Sequence, residues 1–323
     1  MRRILAAAAV IALAFGLSAG LAQAADSSTG TIRFIVGTPP GGALDPYARI
    51  IAQRMQQELH QTIIVVNMAG ANGNISAHNV VEAPADGLTV WVGTQSMTEI
   101  NPSAFRHLSW KTSDFTPLIK GVEAPLILVT NPSVPAKNLK DLIAWIKKNP
   151  TKANFASFSP GTPSHFLGFQ LNQKFGLDMA HIPYRGAAPQ TAALLAGTVP
   201  LGFAQLAAAL PQMKAGKLNA IATTGAKRSR LTPNVPTFAE LGYPDFTATI
   251  WFGLFVRSNT PKAVCERLLK AAIAAHNDPA VKKKLEAMGF DVPGMTGAAF
   301  SKEIAQQIER WRKLVVATGF RAN

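Results

Sequence analysis

Short β-branched runs alternate along this chain with stretches in which apolar residues recur at helical spacing. Ile32-Arg-Phe-Ile-Val36 reads as a buried strand, and Ala48, Ile51, Met55 and Leu59 then mark one face of a helix. Thr62-Ile-Ile-Val-Val66 predicts a second strand, 75–82 a helix, and Leu88-Thr-Val-Trp-Val92 a third strand. The alternation resumes with a strand at Leu126-Ile-Leu-Val-Thr130, a helix over 139–149 and a strand at Ala153-Asn-Phe-Ala-Ser157. A helix over 189–196 follows, then strands over 199–203 and 218–222, and an aromatic strand at Trp251-Phe-Gly-Leu-Phe255. Helices over 261–276 and 279–288 precede a terminal helix carrying Phe300, Ile304, Ile308, Trp311 and Val315 on one face. Strands alternating with helices predict doubly wound α/β sheets, whose ligands sit beyond the carboxyl ends of the strands. The loops at 38–45, 69–74 and 94–98 should therefore converge.

Two of the strand-to-helix turns share a chemistry. Gly37-Thr-Pro-Pro-Gly-Gly-Ala-Leu-Asp-Pro46 ends in a carboxylate at the N-cap position and proline at the first helical position. Gly41 and Gly42 carry no side chain to shield their N–H groups, which suits an anion beside a helix N-terminus. Phe158-Ser-Pro-Gly-Thr162 repeats the design, with Thr162 and Pro163 as N-cap and first helical residue. Either turn alone also fits an ordinary connection, and Asp45 as N-cap would consume some of the donors. Two such units about a domain apart are what two lobes need to grip an anion from both sides. The chain leaves its first lobe near 126 and returns near 250. That predicts a discontinuous first domain (25–126 plus 250–323), a second domain (127–249), and a hinge of two crossings.

Composition narrows the class. Arg2 and Arg3, the apolar stretch from Ile4 to Leu17, and Ala22-Gln-Ala24 form an export signal over 1–24 with cleavage near Ala24. Cys265 is the sole cysteine, so no intrachain disulfide forms and no cysteine is placed for a lipid anchor. The formal charge of +14 is scattered in short basic runs without aromatic interleaving, and an exported chain meets little nucleic acid, so that partner is not expected. The six histidines show neither i,i+4 pairing nor a cysteine cluster, so no metal or other cofactor is expected. G-x-S-x-G is absent, and Gly70-x-x-Gly73 is not a nucleotide fingerprint. His165, behind the second turn, reads as a loop anchor or as a base.

The ordered set Pro39-Pro-Gly-Gly with Asp45, Gly70-Ala-x-Gly-Asn74, Asp86-Gly87, Asn101-Pro102, Asp114-Phe-Thr-Pro117, His181-x-Pro-Tyr-x-Gly186, Lys227-Arg228, Val235-Pro-Thr-x-x-Glu240 and Trp251-Phe-Gly253 resembles the tripartite tricarboxylate transporter substrate-binding proteins, the Bug family of periplasmic receptors. The resemblance covers the chain beyond its export signal. It implies a two-lobed type II periplasmic-binding-protein fold, with two mixed sheets joined by a two-strand hinge. It further implies a monomeric receptor, not an enzyme, that holds a ligand carboxylate by backbone N–H groups and bridging water. Such a receptor delivers its ligand to a membrane partner of one large and one small integral subunit. By matching motif, the first lobe would contribute Thr38, Pro40, Gly41, Gly42, Asn72, Gly73 and Ser96, and the second Ser157, Ser159, Gly161, Thr162 and His165. Ser159 and Thr162 depart from the family's commoner Gly and Ser, which predicts a stiffer second turn with extra hydroxyl contacts. Gln205 stands where many members have Asp, which favours di- or tricarboxylates and aromatic acids over amino acids. An exported sensor subunit with the same fold, or a hydrolase using a loop serine, are the alternatives.

Overall fold

The computed structural model describes residues 29–322; the export signal expected at 1–24 lies outside the described residues. Strand β1 (Ile32–Val36) pairs in parallel with β2 (Ile63–Asn67) and β3 (Thr89–Thr94). Helices α1 (Leu44–Leu59) and α2 (Asn74–Glu82) form the crossovers between them. Strand β9 (Thr249–Arg257) runs antiparallel on β3, and β4 (Phe115–Thr130) antiparallel on β9. The carboxyl half of β4 then pairs with β7 (Leu201–Gln205) and β8 (Asn219–Thr223), and β5 (Asn154–Ser157) lies parallel between β7 and β6 (Ala180–Pro183). Helices α3 (Asn101–Ala104), α4 (Leu139–Lys148), α5 (Pro163–Phe175), α6 (Ala187–Ala196) and α7 (Leu206–Lys214) are distributed along this middle of the chain. Helices α8 (Lys262–Asn277) and α9 (Pro279–Ala287), the short strand β10 (Met295–Thr296) on β4, and α10 (Gly297–Thr318) end it.

The architecture is a two-lobed α/β fold, as the alternation predicts, with one feature the pattern hides. Strand β4 is a single element of 16 residues that belongs to both halves of the sheet. Its front half reads poorly as a strand because Pro117, Lys120, Gly121 and Pro125 interrupt the apolar run. Tertiary contacts explain the survival of two of these breakers, Lys120 and Gly121. Lys120 is buried between Glu123 at 2.5 Å and Glu303 at 2.7 Å, so its charge is matched. A Cβ at Gly121 would overlap both His276 and Tyr47, whose 3.1 Å hydrogen bond passes over the strand there. The register of β4 against β9 shifts between Lys120 and Val122, beside that close approach.

Thr224 ties the two crossing segments together. Its N–H donates to the Leu126 carbonyl at 2.9 Å, and its carbonyl accepts from Ala248 N at 2.9 Å. Its hydroxyl donates to the Ala248 carbonyl at 2.6 Å and accepts from Leu126 N at 2.9 Å. The core is continuous across β1, β3, β9 and β4, and rings such as Phe34, Phe203 and Phe155 are buried on both sides of the crossing. Each contributes about 1.5–3 kcal/mol relative to exposure. Among the described residues no helix is long and apolar enough to cross a membrane.

Candidate functional site

A cavity of about 670 Å³ lies between the two halves of the sheet, in the size range of small-molecule sites. The three loops expected to converge all line it, together with the second turn, the 184–189 segment, Gln205, and Ile250, Trp251 and Phe252 of β9. Six helical segments begin on this cavity. Their N-cap residues are Ala43 for α1, Gly73 for α2, Gln95 for the π-helical turn Ser96–Ile100, Thr162 for α5, Gly186 for α6 and Gln205 for α7. In none of the six does the N-cap residue's side chain cap the helix, although Thr94 Oγ1 accepts from Met97 N at 3.4 Å in the π-helical turn. The two described α-helices that have such a cap, α4 with Asn138 and α9 with Asp278, start away from the cavity, although α3, α8 and α10 also lack one. First-turn N–H groups have no intrahelical partner, so six positive dipole ends face one space. Arg185, exposed, is the single ionised side chain of the lining, and no carboxylate lines it.

The first turn differs from its sequence reading in one respect. Helix α1 starts at Leu44, two residues early, and Asp45 caps nothing. Its carboxylate instead accepts from Arg49 Nε and Nη2, both at 3.0 Å. Burial works against that carboxylate, but the hydrogen bonds from Arg49 and Asn67 outweigh it and hold its pKa below the ordinary value. The two-pronged charge-assisted pair explains the correction, since it holds the carboxylate more strongly than a single N–H bond at the cap would. Arg49 Nη2 also donates to Asn67 Oδ1 at 3.3 Å, and Asn67 Nδ2 donates to the Thr38 carbonyl at 3.1 Å. Arg49 is thereby committed to shaping the loop and does not line the cavity.

Thr38, Pro40, Gly41, Gly42, Asn72, Gly73, Ser96, Ser159, Thr162 and Gln205 all line the cavity, whereas Ser157, Gly161 and His165 lie behind it. Ser157 is fully buried, with its hydroxyl 2.6 Å from His181 Nε2. His181 stacks between Phe155 and His165, with ring centroids 5.0 and 4.0 Å away. Nδ1 of His165 accepts from Gly161 N at 3.3 Å, which anchors the loop. Burial pushes the His165 imidazole down to about 3, helped by its neighbour His181, and burial lowers His181 to about 4. Both rings are therefore neutral at physiological pH. Thr162 occupies its N-cap position, but its hydroxyl donates to the Ser159 carbonyl at 2.6 Å and does not cap α5.

Asn72 joins the two sides of the cleft. It adopts a left-handed conformation (φ 51°) and is held by Asn101, whose Nδ2 donates to the Asn72 carbonyl at 3.0 Å. From there Asn72 Nδ2 donates to the Gly161 carbonyl at 3.4 Å, and Ser159 Oγ donates to Asn72 Oδ1 at 3.4 Å. Sequence reasoning placed the loops of Gln95 and Phe158 at the site without naming either residue as lining, did not place Tyr184 there, and read Trp251 only as part of a strand. The Trp251 ring is buried, with Nε1 donating to Glu99 Oε1 at 3.1 Å, yet the residue also closes the cavity floor. Burial raises the Glu99 carboxyl well above the ordinary carboxylate range, against the opposing effect of that bond.

Two α/β halves that share crossing strands, and whose helix N-termini open on the cleft between them, define a two-lobed type II periplasmic-binding-protein fold. The chain belongs to the tripartite tricarboxylate transporter family receptors, whose family model matches residues 47–320. BugT of Bordetella pertussis is 32% identical over 99% of this chain and 98% of its own. The periplasmic binding protein BugD superposes with a TM-score of 0.83 at 29% identity, covering 91% of this chain and 99% of its own. MatC from Rhodopseudomonas palustris with bound malate gives 0.81 at 29% identity, covering 88% and 98%. A second R. palustris protein, with adipate, gives 0.85 at 28%, covering 90% and 98%. The family is one of solute-binding receptors and not of enzymes, so the hydrolase reading falls. The serine nearest a histidine, Ser157, is sealed from the cavity in any case.

Proposed function

We propose that this chain is a periplasmic receptor that holds a small organic carboxylate in the cleft and delivers it to the integral subunits of a tripartite transporter. One observation carries the reading. Six helical N-termini whose N-cap residues supply no side-chain cap open on one cavity that contains no carboxylate of its own. Backbone N–H groups at such ends stabilise a buried anion without a cation in contact. The malate- and adipate-bound relatives support this class of ligand. Export would follow from the 1–24 signal, with cleavage near Ala24. The contacts would come from Thr38, Pro40, Gly41, Gly42, Asn72, Gly73 and Ser96 on one side, and from Ser159, Thr162 and Gln205 on the other. A thermal-shift panel of mono-, di- and tricarboxylates tests the proposal, because a ligand that binds only the native state raises the melting temperature. At least one acid should shift it by several degrees; a flat response across the panel would refute the reading.

The lobes would comprise 25–126 plus 250–323 and 127–249, and the ligand would draw them together about the crossings that Thr224 clasps. Closure excludes water and strengthens the hydrogen bonds to the carboxylate. Small-angle scattering should show compaction when a confirmed ligand is added, and unchanged profiles would sink closure while leaving binding intact.

A further inference from the structure

We infer that Gln95 and Gln205 form a subsite on the cleft floor that reads an uncharged hydroxyl, so that the preferred ligand is a hydroxy acid. The inference rests on the carboxylate reading of the same cleft and specifies what else the ligand carries. Gln95 directly follows Thr94, which pairs with Phe252 of β9, and Gln205 pairs with Leu126 of β4. The two amides thus flank the crossing strands from opposite sides, beside an otherwise apolar floor of Ile250, Trp251 and Phe252. Gln95 is 4% exposed, and the Oε1 atoms of both residues are buried without a hydrogen-bond partner in the protein. Gln190, whose Oε1 is likewise unpartnered, does not line the cavity, and its Nε2 donates to the carbonyls of Ala156 and Phe203, both at 3.0 Å. A buried polar atom without a partner costs about 1–3 kcal/mol, so two such amides on one cavity wall mark a place where a ligand supplies the partner.

The charge of that partner follows from the lining. An ammonium group would find no carboxylate in the lining. An ionised carboxylate has no hydrogen to give an amide oxygen. A hydroxyl both donates and accepts, so it can give its hydrogen to one amide and take one from the other. Rotation that exchanges O and N in either amide leaves this match available.

Two pairs of acids that differ by one hydroxyl test the assignment on the full exported chain by calorimetry: malate against succinate, and lactate against propionate. In the better-binding pair the hydroxy acid should bind about 10-fold tighter or more. Gln95→Leu and Gln205→Leu should each bring that ratio toward one, chiefly by weakening the hydroxy acid. Neither substitution should lower the melting temperature, because neither amide has a protein partner to lose. Equal binding within the pair, loss of both acids alike in the variants, or tight binding confined to acids without a hydroxyl would overturn the subsite. Failure of all four acids and of the wider carboxylate panel would instead overturn the carboxylate reading, and this assignment with it.

Discussion

The two glycine-containing turns look alike in sequence and differ in how they use their polar groups. Around the first, nothing lies within 4 Å of where a Cβ would stand at Gly41 or Gly42, so the backbone faces open cleft. Its bracing comes from outside, through Asp45, Arg49 and Asn67 to the Thr38 carbonyl. The second turn is braced from within. Ser157 and Thr162 both donate to the Ser159 carbonyl, Ser164 Oγ accepts from Phe158 N, and His165 accepts from Gly161 N. One turn therefore leaves its donors free for a ligand, while the other spends much of its hydrogen-bonding capacity on its own shape and on the Asn72 link. Recognition should be concentrated in the first turn and local stability in the second.

Gly42→Val is the sharpest way to break this division. Its backbone is not left-handed and its Cβ meets open space, so the fold should tolerate the valine. The side chain would nevertheless occupy the anion position, and affinity for the thermal-shift ligand should fall roughly 100-fold or more at an unchanged melting temperature. A loss of melting temperature equal to that of a core substitution would make Gly42 structural. Gly161 offers no equally clean test, because its φ of +70° strains any side chain and Phe320 stands 3.3 Å from the added Cβ.

Ser157→Ala should do the reverse. It leaves His181 Nε2 without its 2.6 Å partner in a buried site, which should cost about 1–3 kcal/mol by chemical denaturation. Affinity should change only severalfold, and a 100-fold loss would place recognition in the second turn after all. Acid should act on the same cluster. His165 and His181 stay neutral in the folded protein down to about 3 and 4, whereas in the unfolded chain they take up protons near the ordinary imidazole value of about 6.5. The unfolded state thus binds more protons below about pH 6.5, and stability falls as pH drops from there toward 4. Melting curves at pH 7 and pH 4.5 should differ by roughly 5 °C or more, and His165→Gln should narrow the gap. Arg185→Ala is expected to have the smallest effect. An exposed guanidinium at the cleft should contribute only a few-fold in affinity, and high salt should erase even that. Calorimetry in which Arg185→Ala costs more than Gly42→Val would shift recognition from backbone dipoles to a side chain.

The alternation of strand and helix and the positions of both turns are local properties that the sequence determined, and the convergence of three loops follows from that alternation through the rule on strand carboxyl ends. Each depends on periodicity, on proline at a first helical position, or on glycine where a side chain would intrude, and those signals act over a few residues. The motif order likewise identified the receptor family. What needed tertiary structure is everything that depends on a distant partner. Asp45 is a good N-cap by type, and only the fold brings Asn67 beside Arg49 to make the loop brace more favourable. The front half of β4 contains breakers whose survival needs Glu303, Tyr47 and His276, far away along the chain. Gln95 lies in a loop that the alternation placed at the cleft, and its amide became conspicuous only once the folded chain proved to offer it no partner. A hydrogen bond that is missing cannot be read from residue types, because its absence is a statement about every neighbour at once.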